Sequence, residues 1–224
     1  MIKTIFHGSD HVVDQPVFHG GRPNNDYGHG FYCTEYCDLA KEWAVSREHD
    51  GFANAYQLDL IGLSILNLNR EYPLISWLAV LLANRTFALD SPLSQEAHSY
   101  ILREFAADLS PYDIVIGHRA DDSYFSFAQD FLNNTISYEQ LSYAMHLGHL
   151  GEQFVLKSKK AYARLQFLEA FPVSRKEYLA RKELRDQTAR NAYFHSDRIG
   201  DHRGELYVTE ILDKEMKKND PRLR

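Results

Sequence analysis

Two short elements near the N-terminus have residue types and spacing that could bind a flat, polar ligand. Phe6-His7-Gly8-Ser9 ends an apolar segment, and Gly28-His29-Gly30 runs directly into the strand formers Phe31-Tyr32-Cys33-Thr34. Glycine lets backbone N–H and C=O groups approach a ligand closely, and a Gly-x-Gly pair indicates a tight loop that feeds a strand. Taken singly, the histidine is compatible with an ordinary strand end and the tyrosine with a half-buried strand aromatic.

Together the two elements resemble the ADP-ribosyltransferase superfamily, in the His-Tyr-Glu branch that includes diphtheria toxin and the poly-ADP-ribose polymerases. In that branch a first strand ends in His-Gly-Ser or His-Gly-Thr, a second begins Gly-x-Gly-x-Tyr, and a later strand opens with a catalytic glutamate. His7-Gly8-Ser9 and residues 28–32 match the first two patterns. Within the superfamily, roughly residues 1–170 are most similar to a bacterial, toxin-like domain family of unknown function.

The resemblance implies NAD as co-substrate and a role for each matched residue. His7 would hydrogen-bond the adenosine-side ribose, and the backbone of Gly8 would hold the nicotinamide carboxamide. Tyr32 would lie against the nicotinamide ring. Ser9 and Gly30 belong to the same two elements and are expected to contribute to NAD binding.

Three further positions bear on the same expected site. Trp43 falls where family members place a second aromatic residue, although a tryptophan on a helix is also a common core residue. Family members often carry a serine three residues earlier, where this chain has Ala40, so one carboxamide contact is missing or replaced. Arg22 is expected to pair with the NAD pyrophosphate, because a guanidinium suits bidentate phosphate binding; the alternative is an ordinary exposed loop charge.

The third motif offers two candidate residues, Glu152 and Gln153, at the start of a strand. Adjacent strand residues face opposite sides, so only one of them can point into the cleft. Glu152 is the favoured catalytic residue, because a carboxylate can stabilise the positive charge that develops on the ribose. If Gln153 faces the cleft, it can orient the ribose but cannot act as a base, which favours a binding role or a slower enzyme.

A second polar cluster, residues 118–122, follows an apolar strand in the pattern His-Arg-Ala-Asp-Asp. It could select an acceptor or simply form a solvated, salt-bridged turn. No Cys/His set has zinc-binding spacing, so no metal site is expected. Cys33 and Cys37 are the only cysteines, which argues against a disulfide framework.

Composition indicates a globular protein of the cytoplasm. Of the 224 residues, 44% are hydrophobic and 25% are charged, and no apolar run approaches the ~20 residues of a membrane helix. The N-terminus begins directly with a strand pattern and lacks signal-peptide features. A formal charge of −6 disfavours broad nonspecific binding to nucleic acid.

The order of strand and helix patterns predicts an α+β fold, since strict βαβ alternation is missing. The first strand is expected to end at Phe6. The resemblance implies a split antiparallel β-sheet core with surrounding helices over residues 1–170. Residues 171–224 are expected to form a charged helical extension that packs on this domain or contacts a partner.

The expected function is NAD-dependent mono-ADP-ribosyl transfer, plausibly as the toxin of a bacterial toxin–antitoxin pair. The acceptor is open: protein, nucleic acid, or water, which would make the protein an NAD glycohydrolase. The alternative is a catalytically inactive module on the same fold that binds NAD, ADP-ribose or a partner protein. Ala40 and the choice between Glu152 and Gln153 keep this alternative open.

Overall fold

A seven-stranded sheet organises the computed structural model, which describes residues 1–120, 122–147, 151–196 and 202–224. The strands are β1 (Ile2–Ser9), β2 (Phe31–Thr34), β3 (Gly51–Asp59), β4 (Ile65–Asn67), β5 (Ile114–His118), β6 (Glu152–Leu156) and β7 (Leu165–Val173). The helices are α1 (Cys37–Ala44), α2 (Leu68–Glu71), α3 (Leu74–Asn84), α4 (Pro92–Phe105), α5 (Asp122–Leu132), α6 (Tyr138–Ala144), α7 (Lys159–Tyr162), α8 (Arg175–Phe194) and α9 (Val208–Asp213), and a 3₁₀ turn spans Pro221–Leu223.

The strand order is β4-β5-β6-β2-β1-β3-β7. Among these neighbours β4 and β5 are parallel and the other pairs are antiparallel. Mostly antiparallel pairing combined with many helices confirms the expected α+β class. The pairing of β1 with β2 is limited to Phe6 opposite Thr34, the last residue of β2, so the rest of β2 does not pair with β1.

Strand β1 is longer than its sequence pattern predicts. Its pairing with β3 runs without interruption from Ile2 opposite Asp59 to Ser9 opposite Phe52. The expected end at Phe6 is therefore wrong: His7, Gly8 and Ser9 lie within the strand, because β3 supplies a backbone partner for each of them.

The two faces of the sheet carry separate apolar cores. Val155 of β6 belongs to the larger core, which includes Trp77 of α3, whereas Phe154 and Leu156 belong to the core around Ile5. Because strand residues alternate between faces, Gln153 lies on the same face as Val155, and the neighbouring residue 152 lies on the opposite face.

Residues 171–173, at the start of the expected C-terminal extension, belong to the sheet. Strand β7 crosses the boundary expected at residue 170 and pairs with β3 along its length. The charged helix expected after it is confirmed as α8, whose Arg185 forms a 2.7 Å ion pair with Glu42 of α1. α8 therefore packs against the helix that carries Trp43. Within the described ranges, no helix is long and apolar enough to cross a membrane.

Candidate functional site

A cavity of about 800 Å³ lies where β1 and β2 separate. Gly8 of β1 and Tyr32 of β2 are on its wall, together with Trp43 of α1. The segment from His11 to Val17, between the two strands, forms another part of the wall. Of the residues expected at the site, the cavity brings together His7, Gly8, Gly30, Tyr32, Trp43 and Gln153.

His7 is held in one protonation form by its neighbours. Its Nδ1 lies 2.7 Å from the backbone carbonyl oxygen of Tyr32, and since that oxygen can only accept, Nδ1 carries the hydrogen. Burial lowers the pKa of His7, the bond to Tyr32 partly opposes this shift, and the charge of His11 lowers it further. A neutral imidazole with a hydrogen on Nδ1 has an acceptor at Nε2, which can receive a hydrogen bond from a ligand hydroxyl.

Gly8 allows α1 to lie directly against β1. A Cβ atom on Gly8 would be 2.0 Å from the backbone oxygen of Ala40 and 2.9 Å from Cβ of Trp43. No side chain fits there, because the nearer obstacle is rigid backbone. This close packing places Trp43 beside Gly8 and leaves Ala40 fully buried.

The indole ring of Trp43 has a cationic neighbour, whereas its N–H group has no hydrogen-bond acceptor among the described residues. The guanidinium carbon of Arg119 lies 4.1 Å from the ring centroid, a cation–π distance. The indole Nε1 is buried, and no described residue accepts its hydrogen. A ligand with a suitably placed acceptor would satisfy this buried donor.

Tyr32 fixes the glycine loop through its hydroxyl group. That hydroxyl donates to the backbone oxygen of Gly28 (2.6 Å) and accepts from the backbone N–H of Tyr27 (3.0 Å). Gly28 has a φ of 72°, a conformation that favours glycine. Burial raises the pKa of Tyr32, so its hydroxyl remains a donor at neutral pH. Because its hydroxyl is bonded to the loop, Tyr32 offers the cavity mainly the face of its ring.

Gln153, and not Glu152, points into this cavity. Gln153 is 3% exposed and lines the cavity, whereas Glu152 lines a second cavity of about 850 Å³ that shares no lining residue with the first. The Glu152 carboxylate accepts hydrogen bonds from Asn67 (3.1 and 3.2 Å) and Asn69 (3.1 Å). The expectation that Glu152 faces the cleft is therefore wrong, because neighbouring strand residues point in opposite directions and Asn67 and Asn69 hold the Glu152 carboxylate in the second cavity.

A buried carboxylate nevertheless lies in the cavity, and it belongs to Asp26. Its Oδ1 accepts from Arg85 at 2.7 Å, and its Oδ2 accepts from the backbone N–H of Ala120 at 2.9 Å and from Nε2 of Gln153 at 3.2 Å. From its position in the loop before the glycine pair, Asp26 could cap the loop or contact a ribose. Arg85 gives no sequence signal, since it simply follows the last turn of α3.

Two expected residues lie away from the cavity. Arg22 is exposed in the loop before the glycine motif and does not line the cavity, so the expected cationic partner is misplaced. Arg85 and Arg119 are the arginines on its wall. Ser9 also lies outside the lining; it is partly buried, and its hydroxyl donates to the backbone oxygen of His11.

The polar residues His118 and Arg119 lie in different cavities. Arg119 lines the first cavity and His118 the second. Burial, with a smaller effect of nearby His146, lowers the pKa of His118 to about 4. Asp121 lies outside the described residues. No group of three or more metal-binding side chains is arranged to hold an ion in the parts of the chain that the structure describes.

The arrangement suits a ligand that combines a flat ring, hydroxyl groups and an anionic group. The rings of Tyr32 and Trp43 offer apolar faces, Nε2 of His7 accepts hydrogen bonds, and the guanidinium groups of Arg85 and Arg119 are cationic. A volume of about 800 Å³ is within the range of about 300–1,000 Å³ that is usual for small-molecule sites.

Comparison with known proteins gives one family. No curated protein and no solved structure matches the chain. The model of a family described as "Protein of unknown function (DUF3990)" matches residues 3–167, which include β1 from its second residue, β2 to β6 and each residue of the cavity wall. The chain therefore belongs to the DUF3990 family.

Proposed function

We propose that this protein binds NAD in the cavity between β1 and β2, cleaves the nicotinamide–ribose bond and transfers ADP-ribose to an acceptor. The observation that carries the proposal is the meeting of His7, Tyr32 and Gln153 on one cavity wall. These residues come from three distant stretches of the chain, and their positions correspond to the three motifs of the His-Tyr-Glu branch of ADP-ribosyltransferases. The separation of β1 from β2 further supports a split sheet of that kind.

The side chains fit the parts of NAD in a simple way. The nicotinamide ring stacks between Tyr32 and Trp43, an arrangement worth about 0.5–1.5 kcal/mol per aromatic pair beyond area burial. The ring replaces the contact between Arg119 and the indole, and the cationic guanidinium on the cavity wall attracts the pyrophosphate. Nε2 of His7 accepts from a hydroxyl of the adenosine-side ribose.

The reaction requires the leaving group to depart as neutral nicotinamide. The bond between the nicotinamide nitrogen and ribose C1′ breaks, and its electron pair stays with nicotinamide. An oxygen or nitrogen of the acceptor bonds to C1′, and the acceptor proton passes to solvent. In the proposed role as the toxin of a bacterial toxin–antitoxin pair in the cytoplasm, the acceptor is a macromolecule. If the protein is an NAD glycohydrolase, the acceptor is water.

A second candidate function is a binding module for NAD or ADP-ribose without catalysis. It is favoured by one observation: the third motif places Gln153 in the cavity, and Glu152 outside it. A glutamine can hold the ribose but cannot take up a proton as a base.

The two functions are separated by measuring NAD binding and nicotinamide release on the same preparation. Calorimetric titration of the wild-type protein with NAD reports binding, and nicotinamide release is measured with and without a bacterial lysate as acceptor source. Binding together with release supports the transferase or glycohydrolase, and binding alone supports the module. Absence of both would contradict the proposed function.

A further inference from the structure

The side-chain amide of Gln153 is fixed by two hydrogen-bond acceptors. Its Nε2 lies 3.2 Å from Oδ2 of Asp26 and 3.0 Å from the backbone oxygen of His118. A primary amide has two N–H hydrogens, so both are used by these contacts. The reverse orientation of the amide would place Oε1 against two acceptor oxygens, which is unfavourable.

This arrangement leaves Gln153 with a hydrogen-bond acceptor as its remaining polar function. A ligand that enters the cavity meets Oε1, because the N–H hydrogens already bond to protein oxygens. The Asp26 carboxylate accepts a charge-assisted hydrogen bond from the amide N–H and so polarises the amide group, which increases the negative partial charge on Oε1. Toward a ribose hydroxyl, Gln153 therefore offers a hydrogen-bond acceptor more negative than an ordinary amide oxygen, although it does not take up a proton.

The carboxylate of Asp26 is in turn held by the fold. Arg85 bonds to its Oδ1, the backbone N–H of Ala120 bonds to its Oδ2, and the residue is 6% exposed. A buried carboxylate with these donors keeps a single orientation, so it can orient its neighbour.

We infer that Asp26 and Gln153 form an acid–amide pair that takes the place of a single catalytic glutamate. Gln153 is the catalytic residue, because its Oε1 accepts from a hydroxyl of the nicotinamide-side ribose while the N-glycosidic bond breaks. Asp26 is a positioning residue that acts through Gln153. This inference rests on the proposed function, and it adds the source of negative charge that the third motif lacks when Glu152 lies outside the cavity.

An exchange of the two side-chain types tests the pair. The variants are Asp26→Asn, Gln153→Glu and the double variant Asp26→Asn/Gln153→Glu, each measured for kcat and KM of nicotinamide release and for NAD affinity. Loss of the charged partner in Asp26→Asn is expected to lower kcat by about 10- to 100-fold. Gln153→Glu is also expected to be impaired, because it sets two carboxylates against each other at a 3.2 Å contact.

The double variant is expected to regain activity relative to either single variant, because it restores one carboxylate and one amide. The ion pair between Asp26 and Arg85 is absent from both Asp26→Asn and the double variant, so the recovery cannot come from that contact. The inference would be overturned if the losses in kcat of the two single variants simply add in the double variant. It would also be overturned if Asp26→Asn has the kcat of the wild type, or if Gln153→Glu is more active than the wild type. In those cases wild-type activity still supports the proposed function.

A measurement on the wild-type protein keeps the test valid if Asp26→Asn does not fold. In ¹⁵N-labelled protein, the side-chain NH₂ signals of Gln153 are identified by their loss in Gln153→Ala. Slow hydrogen exchange at both positions, before and after addition of NAD, is the expected result. An amide that loses its protection when NAD binds has turned toward the ligand, which would overturn the inference. Wild-type protein that neither binds nor cleaves NAD would overturn the proposed function and the inference together.

Discussion

The imidazole of His7 and the backbone carbonyl of Tyr32 are joined by a 2.7 Å hydrogen bond across the gap between β1 and β2. The contact links the first two motifs at the point where the strands no longer pair with each other. It fixes which ring nitrogen carries the hydrogen, and it leaves Nε2 as an acceptor for a ligand. The imidazole ring therefore has two roles: Nδ1 stabilises the structure through its bond to Tyr32, and Nε2 can bind a ligand.

A substitution can separate these two roles of His7. In His7→Asn the side-chain amide can replace the Nδ1 donor to Tyr32, but it provides no group at the position of Nε2. NAD affinity is expected to fall about 5-fold or more, the worth of one hydrogen bond, with little change in thermal stability. Calorimetry and thermal unfolding measure the two effects. His7→Ala is the matched comparison, and it should lose stability as well as affinity; unchanged NAD affinity in His7→Asn would contradict the assigned role.

Trp43→Phe tests the aromatic wall. The substitution removes an indole Nε1 for which the described residues provide no acceptor, so no protein hydrogen bond should be lost. It also weakens the contact with Arg119, since tryptophan is the strongest partner for a cation. We expect NAD affinity to fall while the free energy of unfolding changes by less than about 1.5 kcal/mol. Titration of Trp43→Leu gives the comparison without an aromatic ring, and affinity equal to wild type in Trp43→Leu would contradict stacking.

Substitution of Gly8 is expected to lower the free energy of unfolding whether or not a ligand is bound. In Gly8→Ala the new Cβ would overlap the backbone oxygen of Ala40 at 2.0 Å, so β1 and α1 must move apart. Overpacking of this kind typically costs about 1–3 kcal/mol or more of unfolding free energy, measurable by urea denaturation. Gly21→Ala is the control. A Cβ atom on Gly21 would lie 3.4 Å from the backbone oxygen of Gly30, which is an ordinary van der Waals distance. Equal losses in the two variants would show that α1 is not in close contact with β1.

His118 makes one contribution to the pH dependence of the free energy of unfolding. Its pKa is about 4 in the folded chain and about 6.5 when unfolded, so between these values the unfolded state binds a proton that the folded state does not. The free energy of unfolding should therefore fall as pH is lowered from about 6.5 to about 4, and His118 should contribute no further loss below that. The difference between wild type and His118→Gln in urea denaturation isolates this contribution from that of other groups. Parallel pH profiles of the two proteins would contradict the assignment.

The local patterns of the chain predict much of the fold and part of the site. Gly-x-Gly before Phe31–Thr34 predicts β2, and the strand at Glu152–Leu156 is found at its expected position, because both are short-range signals. The end of β1 is different. Nothing in His7-Gly8-Ser9 itself favours a strand, and only pairing with β3 extends it.

The electrostatic part of the site depends on contacts between distant residues. Asp26, Arg85 and Ala120 are separated by tens of residues in the chain, and their meeting is decided by how α3 and the loop after β5 pack against the glycine loop. The orientation of Gln153 was likewise undecidable from periodicity, since Glu152 and Gln153 fit the strand pattern in either register. The pairing of β6 with its neighbours decides it.

Nicotinamide release from NAD by the wild-type protein, Gln153→Ala and Glu152→Ala, with bacterial lysate as acceptor source, tests most directly whether the cavity between β1 and β2 is the NAD site. We expect release by the wild type, its loss in Gln153→Ala, and release close to wild type in Glu152→Ala, whose side chain lies in the other cavity. Release that persists in Gln153→Ala but is lost in Glu152→Ala, with both variants folded, would contradict the assignment of the cavity between β1 and β2 as the NAD site.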